Sequence, residues 1–249
     1  MKFRYHYQVK WHDTDVNRQV TPSNVLAYMQ ETSNYHLISA GMSLDRLRDE
    51  RGLAFLLSRI ALRMYEPLYA GDEIDVETWV CESRGLSFNR CFRILRGACV
   101  IAEAFSVWGL MDLQSRRLLP SSAFPYAIEP EEALSKDLQT RVRLPAIDKM
   151  QLVGERGIVY SDIDYNGHMN NTHYPNMLCD FTPDICHSRV VGMTLSFLHE
   201  ATYGHTLRVY RAEQEGGYLF RTVNEEGTTC LEATLTTEAL DQVRTTELP

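Results

Sequence analysis

The feature that most limits the possible folds is a polar pattern, Asp-x-Asp-x-Asn, that the chain contains twice. It occupies residues 13–17 and returns at residues 162–166. Each copy follows a strand-like run and precedes a stretch with helical spacing. The segments MYEPLYAGDEIDV and FLHEATYGHTLRV hold matching places further along each half. The repeat predicts one fold used twice, in a chain whose 249 residues are enough for two domains of ordinary size.

The first half reads as one strand, a long helix and then further strands. Apolar and polar residues alternate over Phe3–Trp11, which predicts a strand with one buried face. In the helical stretch that follows, Thr21 can cap the N-terminus, Pro22 fits the first helical position, and Gly41 can end the helix at its C-terminus. A shorter helix that stops at Gly52 precedes about four antiparallel strands. This order predicts an α+β unit whose antiparallel sheet wraps around the long helix.

Composition and pattern divide the chain into two units and a connection. Residues 1–125 hold the first unit, and residues 151–249 repeat its order of strand, polar turn, helix and strands. Residues 126–150 between them carry charges and prolines without a sustained period, which is typical of a linker. We therefore expect a pseudo-dimer within one chain, and we expect that whole chains can also pair as a homodimer.

Composition also narrows the classes of partner. The first residues alternate apolar and polar side chains, and no run approaches the roughly 20 apolar residues of a membrane helix. We therefore expect a cytoplasmic protein without membrane insertion. The formal net charge is −8 and no long cluster of lysine and arginine occurs, which argues against a nucleic-acid groove.

The second copy of the polar pattern differs from the first by a histidine. The stretch Ser161–Tyr174 reads SDIDYNGHMNNTHY, with His168 where the first copy has Gln19. A calcium loop of the EF-hand type needs a preceding helix and a glutamate at the twelfth position, where His173 stands. Capping and turn formation explain the Asp and Asn residues of both copies, but not the histidine. A hydrolytic site accounts for it, because carboxylates flank the imidazole at a strand-to-helix junction.

Several segments together resemble one enzyme family. DIDYNGHMNNTHY resembles the signature of acyl-acyl carrier protein (acyl-ACP) thioesterases, in the second of two tandem hot-dog domains. HDTDVNRQV, YEPLYAGD and WGLMDLQSRRLLP resemble the first domain, so the similarity, to a bacterial-type member, spans nearly the whole chain. It implies a hydrolase of fatty acid biosynthesis that cleaves fatty acyl-ACP to free fatty acid and carrier protein. The family's catalytic residues fall on Asp164, Asn166, His168 and Glu200.

The resemblance also implies how the reaction proceeds. Many plant members carry a cysteine directly after the glutamate, but this chain has Ala201 there. We therefore expect water as the nucleophile, with Glu200 or Asp164 as general base and His168 sharing the proton transfer. Asn166 and the first amides of the following helix are expected to position the thioester carbonyl. No cofactor and no metal are expected.

The acyl chain and the carrier protein need surfaces of their own. The resemblance places the acyl chain in the first domain, between the sheet and the long helix. Tyr28, Met29 and Met64 are candidates for its lining, although ordinary core packing is the simpler interpretation. The acidic carrier protein, which presents the acyl chain on phosphopantetheine, calls for arginines. The candidates, each also explained as part of a solvated strand face, are Arg90, Arg93, Arg96, Arg116 and Arg117.

Other functions on the same fold stay open. An acyl-CoA thioesterase would act without a carrier protein, and relative activity on the two donors separates it. A non-catalytic fatty-acyl sensor would bind without turnover. Such sensors usually carry a DNA-binding element, and the chain has no basic helix-turn-helix segment outside its two units. A dehydratase fits less well, because the histidine lies amid Asp, Asn and a distant Glu in the thioesterase pattern.

Overall fold

Two units of strands and helices share one antiparallel sheet in the computed structural model of the chain, which describes residues 2–124, 128–134 and 138–240. The helices of these ranges are α1 (Pro22–Ser39), α2 (Leu44–Arg51) and α3 (Tyr174–Asp180). The strands are β1 (Phe3–Gln8), β2 (Leu53–Met64), β3 (Glu73–Cys81), β4 (Phe88–Arg96), β5 (Cys99–Asp112), β6 (Arg117–Leu119), β7 (Gln151–Gly157), β8 (Ser188–Phe197), β9 (Thr206–Gln214), β10 (Gly217–Val223) and β11 (Thr229–Ala239).

The two units have the same strand order. The first unit runs β1-β3-β4-β5-β2 from its outer edge, and the second runs β7-β9-β10-β11-β8 from the opposite edge. β2 and β8 pair at the centre, with Arg59 opposite Ser196 and Arg63 opposite Gly192. One hydrophobic core continues through both units. The predicted α+β fold with a repeated unit is therefore confirmed.

Local sequence sets the limits of α1. The Thr21 hydroxyl accepts a hydrogen bond from the Asn24 amide, and Pro22 occupies the first turn. Gly41 follows the helix with φ +82°, a left-handed conformation that favours glycine. Met29 lies on the inner face and is fully buried. The predicted helix and its capping residues are confirmed.

The expectation for the first strand is wrong at its end. β1 stops at Gln8, and a short 3-10 helix at Trp11–Asp13 turns the chain before the polar pattern. Within the predicted linker, residues 126–150, positions 126, 127 and 135–137 lie outside the described residues. In its described part, an isolated bridge joins Glu131 to Cys81 of β3. None of the helices in the described ranges is long and apolar enough to cross a membrane.

Candidate active site

The second copy of the polar pattern is a tight turn that fixes the catalytic candidates. Asp164 Oδ1 accepts a hydrogen bond of 2.8 Å from the Asn166 amide. The Asp164 amide in turn donates to the His168 carbonyl oxygen at 3.1 Å. His168 forms an isolated antiparallel bridge with Thr202, in the segment that follows β8. This bridge brings Glu200 next to the histidine.

His168 and Glu200 face one another. Nε2 of the imidazole lies 3.9 Å from Glu200 Oε1, within ion-pair range but beyond a direct hydrogen bond. Nδ1 lies 3.4 Å from the Met169 carbonyl oxygen, which favours a proton on Nδ1 and leaves Nε2 available to accept one. The His168 side chain is 17% exposed and that of Glu200 is 44% exposed. Arg116 Nη2 lies 3.8 Å from the other carboxylate oxygen, so a histidine and an arginine flank the glutamate.

Besides Arg116, the first unit contributes a second residue to this site. Arg48 of α2 donates a hydrogen bond of 2.7 Å from Nη1 to Asn166 Oδ1. Its guanidinium also lies over the Tyr165 ring, 5.5 Å from the centroid. Because the amide oxygen of Asn166 is engaged, its NH₂ group is the part left to donate to another molecule. Sequence reasoning missed Arg48, and no local signal could have found a contact across 118 residues.

One cavity of about 1110 Å³ connects these residues with the interior of the first unit. Its volume lies slightly above the range of about 300–1,000 Å³ that is usual for small-molecule sites. One part of its wall holds the four predicted catalytic residues, which are Asp164, Asn166, His168 and Glu200. On the side of the sheet its wall is largely apolar and includes Phe55, Leu57, Phe88 and Trp108, whereas α1 contributes Leu37 together with polar residues such as Gln30 and Asn34. The structure thus brings all four candidates to one end of an apolar space.

The first copy of the pattern repeats the backbone of the site without its histidine. The Asp15 amide donates to the Gln19 carbonyl oxygen at 2.8 Å, as the Asp164 amide donates to that of His168. Both carboxylates also accept a hydrogen bond from the amide two residues later. The turn predicted for both copies is confirmed.

The glutamate also has no counterpart in the first copy. In the second copy, the Met169 amide, directly after His168, donates to the Ala201 carbonyl oxygen at 2.8 Å. In the first copy, the Val20 amide, directly after Gln19, donates to the Leu68 carbonyl oxygen at 2.8 Å. The residues before these two carbonyls are Glu200 and Pro67. At these two equivalent positions, only the second copy therefore places an imidazole next to a carboxylate.

The other carboxylate of the second copy has a structural role. Asp162 is buried and accepts hydrogen bonds from the Val159 amide at 2.9 Å and from Arg156 Nη2 at 2.8 Å. His173 Nδ1 lies 3.7 Å from the same carboxylate. Within the described ranges, no group of three His, Cys, Asp or Glu side chains is arranged to hold a metal ion.

The expected role of the helix amides is wrong for two of them. Pro175, in the first turn of α3, has no N–H, and the Asn176 amide donates to the Ser23 hydroxyl of α1 at 3.0 Å. The start of α3 is thus bonded to the other unit. Asn166 is the expected donor that keeps its NH₂ group for a substrate.

The three candidate lining residues do not line the cavity. Among the described residues that line the cavity, none is Tyr28, Met29 or Met64. The two methionines are buried in the core. The Tyr28 hydroxyl donates a hydrogen bond of 2.5 Å to Asp13 Oδ2. Core packing, the simpler interpretation, is correct for the methionines.

The candidate docking arginines have different surroundings. Arg93 pairs with Glu103 and Arg96 with Asp72, both at 2.7 Å. Arg90 is only 8% exposed, so it lies neither on a docking surface nor on a solvated strand face. It lines the cavity instead.

Comparison with known proteins identifies the family. Residues 1–121 match the family model of the acyl-ACP thioesterase N-terminal domain, and residues 148–243 match the model of the acyl-ACP thioesterase C-terminal domain. The chain belongs to the acyl-ACP thioesterase family. The resemblance found in the sequence is thereby confirmed.

Curated relatives in the acyl-ACP thioesterase family are distant. The chloroplastic palmitoyl-acyl carrier protein thioesterase of Arabidopsis thaliana is 24% identical over 215 residues, which are 80% of this chain and 52% of that protein. The chloroplastic dodecanoyl-[acyl-carrier-protein] hydrolase of Umbellularia californica is 24% identical over 226 residues, 83% of this chain and 58% of that protein. The chain spans about half the length of the curated relatives it matches.

Solved structures show the same fold. The acyl-ACP thioesterase from Bacteroides thetaiotaomicron aligns with a TM-score of 0.85 at 21% identity, over 95% of this chain and 98% of that one. The 12:0-ACP thioesterase from Umbellularia californica aligns with a TM-score of 0.84 at 20% identity, over 96% and 97% of the two chains. The tandem hot-dog fold is therefore confirmed.

Proposed function

We propose that the chain is an acyl-ACP thioesterase, a hydrolase that cleaves fatty acyl-ACP to a free fatty acid and the carrier protein. The observation that carries the proposal is a single cavity that joins the His168–Glu200 pair to an apolar space in the first unit. Residues 1–125 then form the acyl-binding domain and residues 151–249 the catalytic domain, with 126–150 as the linker. The family membership and the names of the relatives support this proposal.

Water is the nucleophile in the proposed reaction. Glu200 takes a proton from a water molecule, whose oxygen forms a bond to the thioester carbonyl carbon. When the tetrahedral intermediate collapses, the carbon–sulfur bond breaks, and the proton passes through His168 to the departing thiolate. Asn166, whose amide oxygen is held by Arg48, donates from its NH₂ group to the carbonyl oxygen as negative charge develops there.

The surroundings of each group favour this division of roles. One oxygen of Asp164 already accepts the hydrogen bond that closes the turn, which favours Glu200 as the general base. A thiol nucleophile is disfavoured, because position 201 is an alanine that is 1% exposed. Cys179 of α3 is not among the described residues that line the cavity, and burial raises the pKa of its thiol to about 12, so it stays protonated at neutral pH.

The expected partner is an acyl carrier protein whose acyl chain is linked to phosphopantetheine. Arg116 lines the same cavity as the catalytic candidates, and a phosphate next to the thioester arm is attracted by such a cation. The same cation would also accept the phosphates of acyl-CoA, which keeps the acyl-CoA thioesterase as the alternative. A cytoplasmic location, the homodimer and the absence of a nucleic-acid partner stay predictions.

Thiol release from a panel of acyl-ACPs and the matching acyl-CoAs tests the proposal. Wild type is compared with His168→Ala and Glu200→Ala, and Gln19→Ala serves as the matched control in the first copy. We expect release from acyl-ACP that falls about 10²- to 10⁴-fold in both site variants, because each removes a group that transfers protons. The Gln19→Ala variant should keep wild-type turnover.

Each other outcome points elsewhere. Release from acyl-CoA alone would replace the proposal by the alternative. Bound acyl ligand without release from either donor would indicate a fatty-acyl sensor. Undiminished turnover in Glu200→Ala would refute the assignment of the general base.

A further inference from the structure

A buried arginine lies in the wall of the cavity, away from the catalytic candidates. Arg90 of β4 is 8% exposed, and its Nη1 lies 3.1 Å from His36 Nδ1 and 3.1 Å from the Thr78 hydroxyl oxygen. Burial lowers the pKa of Arg90 to about 10 and, with the arginine beside it, that of His36 to about 4. At neutral pH the arginine is therefore charged, and both of its partners are neutral acceptors.

This cation has no carboxylate counter-ion in the described part of the chain; the Cys81 and Cys91 thiols are the acidic groups that act on it. No carboxylate there forms an ion pair with Arg90, and its bonds to protein acceptors use Nη1 alone. A guanidinium has five N–H donors, so Nε and Nη2 keep donors that these residues do not engage. Buried charges are ordinarily paired, which makes an unpaired one beside a cavity a candidate for ligand binding.

The strand order places Arg90 well away from the reacting thioester. β4 and β8 are separated by β5 and β2, so three strand spacings, or roughly 14 Å, lie between Arg90 and the strand that leads to Glu200. Apolar residues of the same cavity, such as Phe88 and Leu37, lie close by along β4 and α1. An acyl chain that starts at the catalytic end and runs across the strands meets the guanidinium on the side of the sheet, where most of the neighbouring cavity residues are apolar.

We propose that Arg90 is a specificity-determining residue that selects, at this depth of the cavity, for an oxygen on the acyl chain and against a methylene group. An oxygen acceptor there satisfies the free N–H groups, whereas a methylene group displaces water from them and offers no acceptor. The ligand class is therefore a fatty acyl chain with a hydroxyl or other oxygen function remote from the thioester. The inference rests on the proposed function, because it needs the acyl chain to enter this cavity.

The test compares two matched series of acyl-ACPs of increasing length, one ending in a methyl group and the other in a hydroxyl group. For each length, thiol release gives the ratio of kcat/KM for the hydroxyl chain to that for the methyl chain. In wild type we expect this ratio to reach roughly 10- to 100-fold at one length, the effect of a hydrogen bond to a charged group. Arg90→Met should bring the ratio to about 1 or below and raise the rate on longer methyl-terminated chains.

Two features of the design separate specificity from folding. A ratio measured on one sample does not depend on the fraction of active enzyme, so partial unfolding of Arg90→Met leaves it unchanged. Arg93→Met makes the same substitution on the same strand, at a residue that pairs with Glu103 and is not part of the described cavity wall. It should keep the wild-type ratio.

The inference is overturned if wild type and Arg90→Met give the same ratio at every length, or if Arg93→Met loses it equally. Failure of the proposed function is distinguishable, because wild type would then release no thiol from any acyl-ACP of either series.

Discussion

Replacing Arg48 by alanine should lower turnover without weakening substrate binding to the same degree. Arg48 holds the amide oxygen of Asn166 at 2.7 Å, and this contact joins α2 of the first unit to the catalytic turn of the second. Without it, the Asn166 amide can rotate, and its NH₂ group points at the thioester oxygen for only part of the time. The loss should therefore appear mainly in kcat.

The size of the effect follows from the exposure of the contact. A hydrogen bond to a charged group contributes about 1.5–3 kcal/mol when it is shielded, and exposed charged contacts contribute about 0.2–1 kcal/mol. Asn166 is exposed and Arg48 is half-buried, so we take about 1 kcal/mol, which is about a fivefold fall in rate. Thermal unfolding should change little, since the contact lies at the surface.

A double-mutant cycle checks the reasoning. In an Asn166→Ala background, Arg48→Ala should have no further effect on kcat, because the two residues act as one unit. Arg51→Ala, at the exposed end of the same helix, is the matched control and should behave as wild type. Equal losses in both backgrounds, expressed chiefly as a raised KM, would show that Arg48 binds the substrate directly and would refute the positioning role.

Three further changes test the turn and the buried histidine. Asp162→Asn should lower the free energy of unfolding by about 1–3 kcal/mol, because it removes the buried charge that pairs with Arg156. Urea denaturation measures this loss, and a loss below about 0.5 kcal/mol would contradict the structural role of Asp162. Gly167→Ala should cost about 1 kcal/mol through its φ of +85°, whereas Gly157→Ala, equally open but without a positive φ, should not; comparing their Tm values decides. The pKa of His36 is lowered to about 4 by burial, so the unfolded chain binds a proton that the folded chain refuses. Stability should fall by roughly 2 kcal/mol as the pH drops from about 6.5 to about 4, and denaturation of wild type beside His36→Gln isolates this loss.

The parts of the structure that local rules govern could be predicted from the sequence. The limits of α1 followed from Thr21, Pro22 and Gly41, because capping depends on residues within one helical turn. The two polar turns followed from their repeated spacing. The end of β1 was misjudged, since Trp11 fits the alternation but is 72% exposed on a turn.

Contacts between distant segments could not be predicted. The pairing of β2 with β8 depends on the register between two strands that are far apart in the chain, and nothing in their similar apolar sequences specifies that register. Arg48 lies on α2, a helix that contains none of the motifs from which the catalytic residues were predicted. Arg90 alternates in step with Phe88 and Phe92, which places it on the inward face of β4, and only the three-dimensional structure shows that the space beside it is a cavity rather than packed core.

The continuous sheet across β2 and β8 has a consequence for how the two halves can differ. In a dimer of identical chains every substitution appears in both halves at once, so a site and a deep apolar pocket would have to coexist in each. Within one polypeptide each half can specialise, one for binding the acyl chain and the other for catalysis. Pro67 in the first half and Glu200 in the second can therefore occupy equivalent positions. Each chain should then have a single working centre, and titration with a tight-binding thioester analogue should end at one molecule per chain, whatever the oligomeric state.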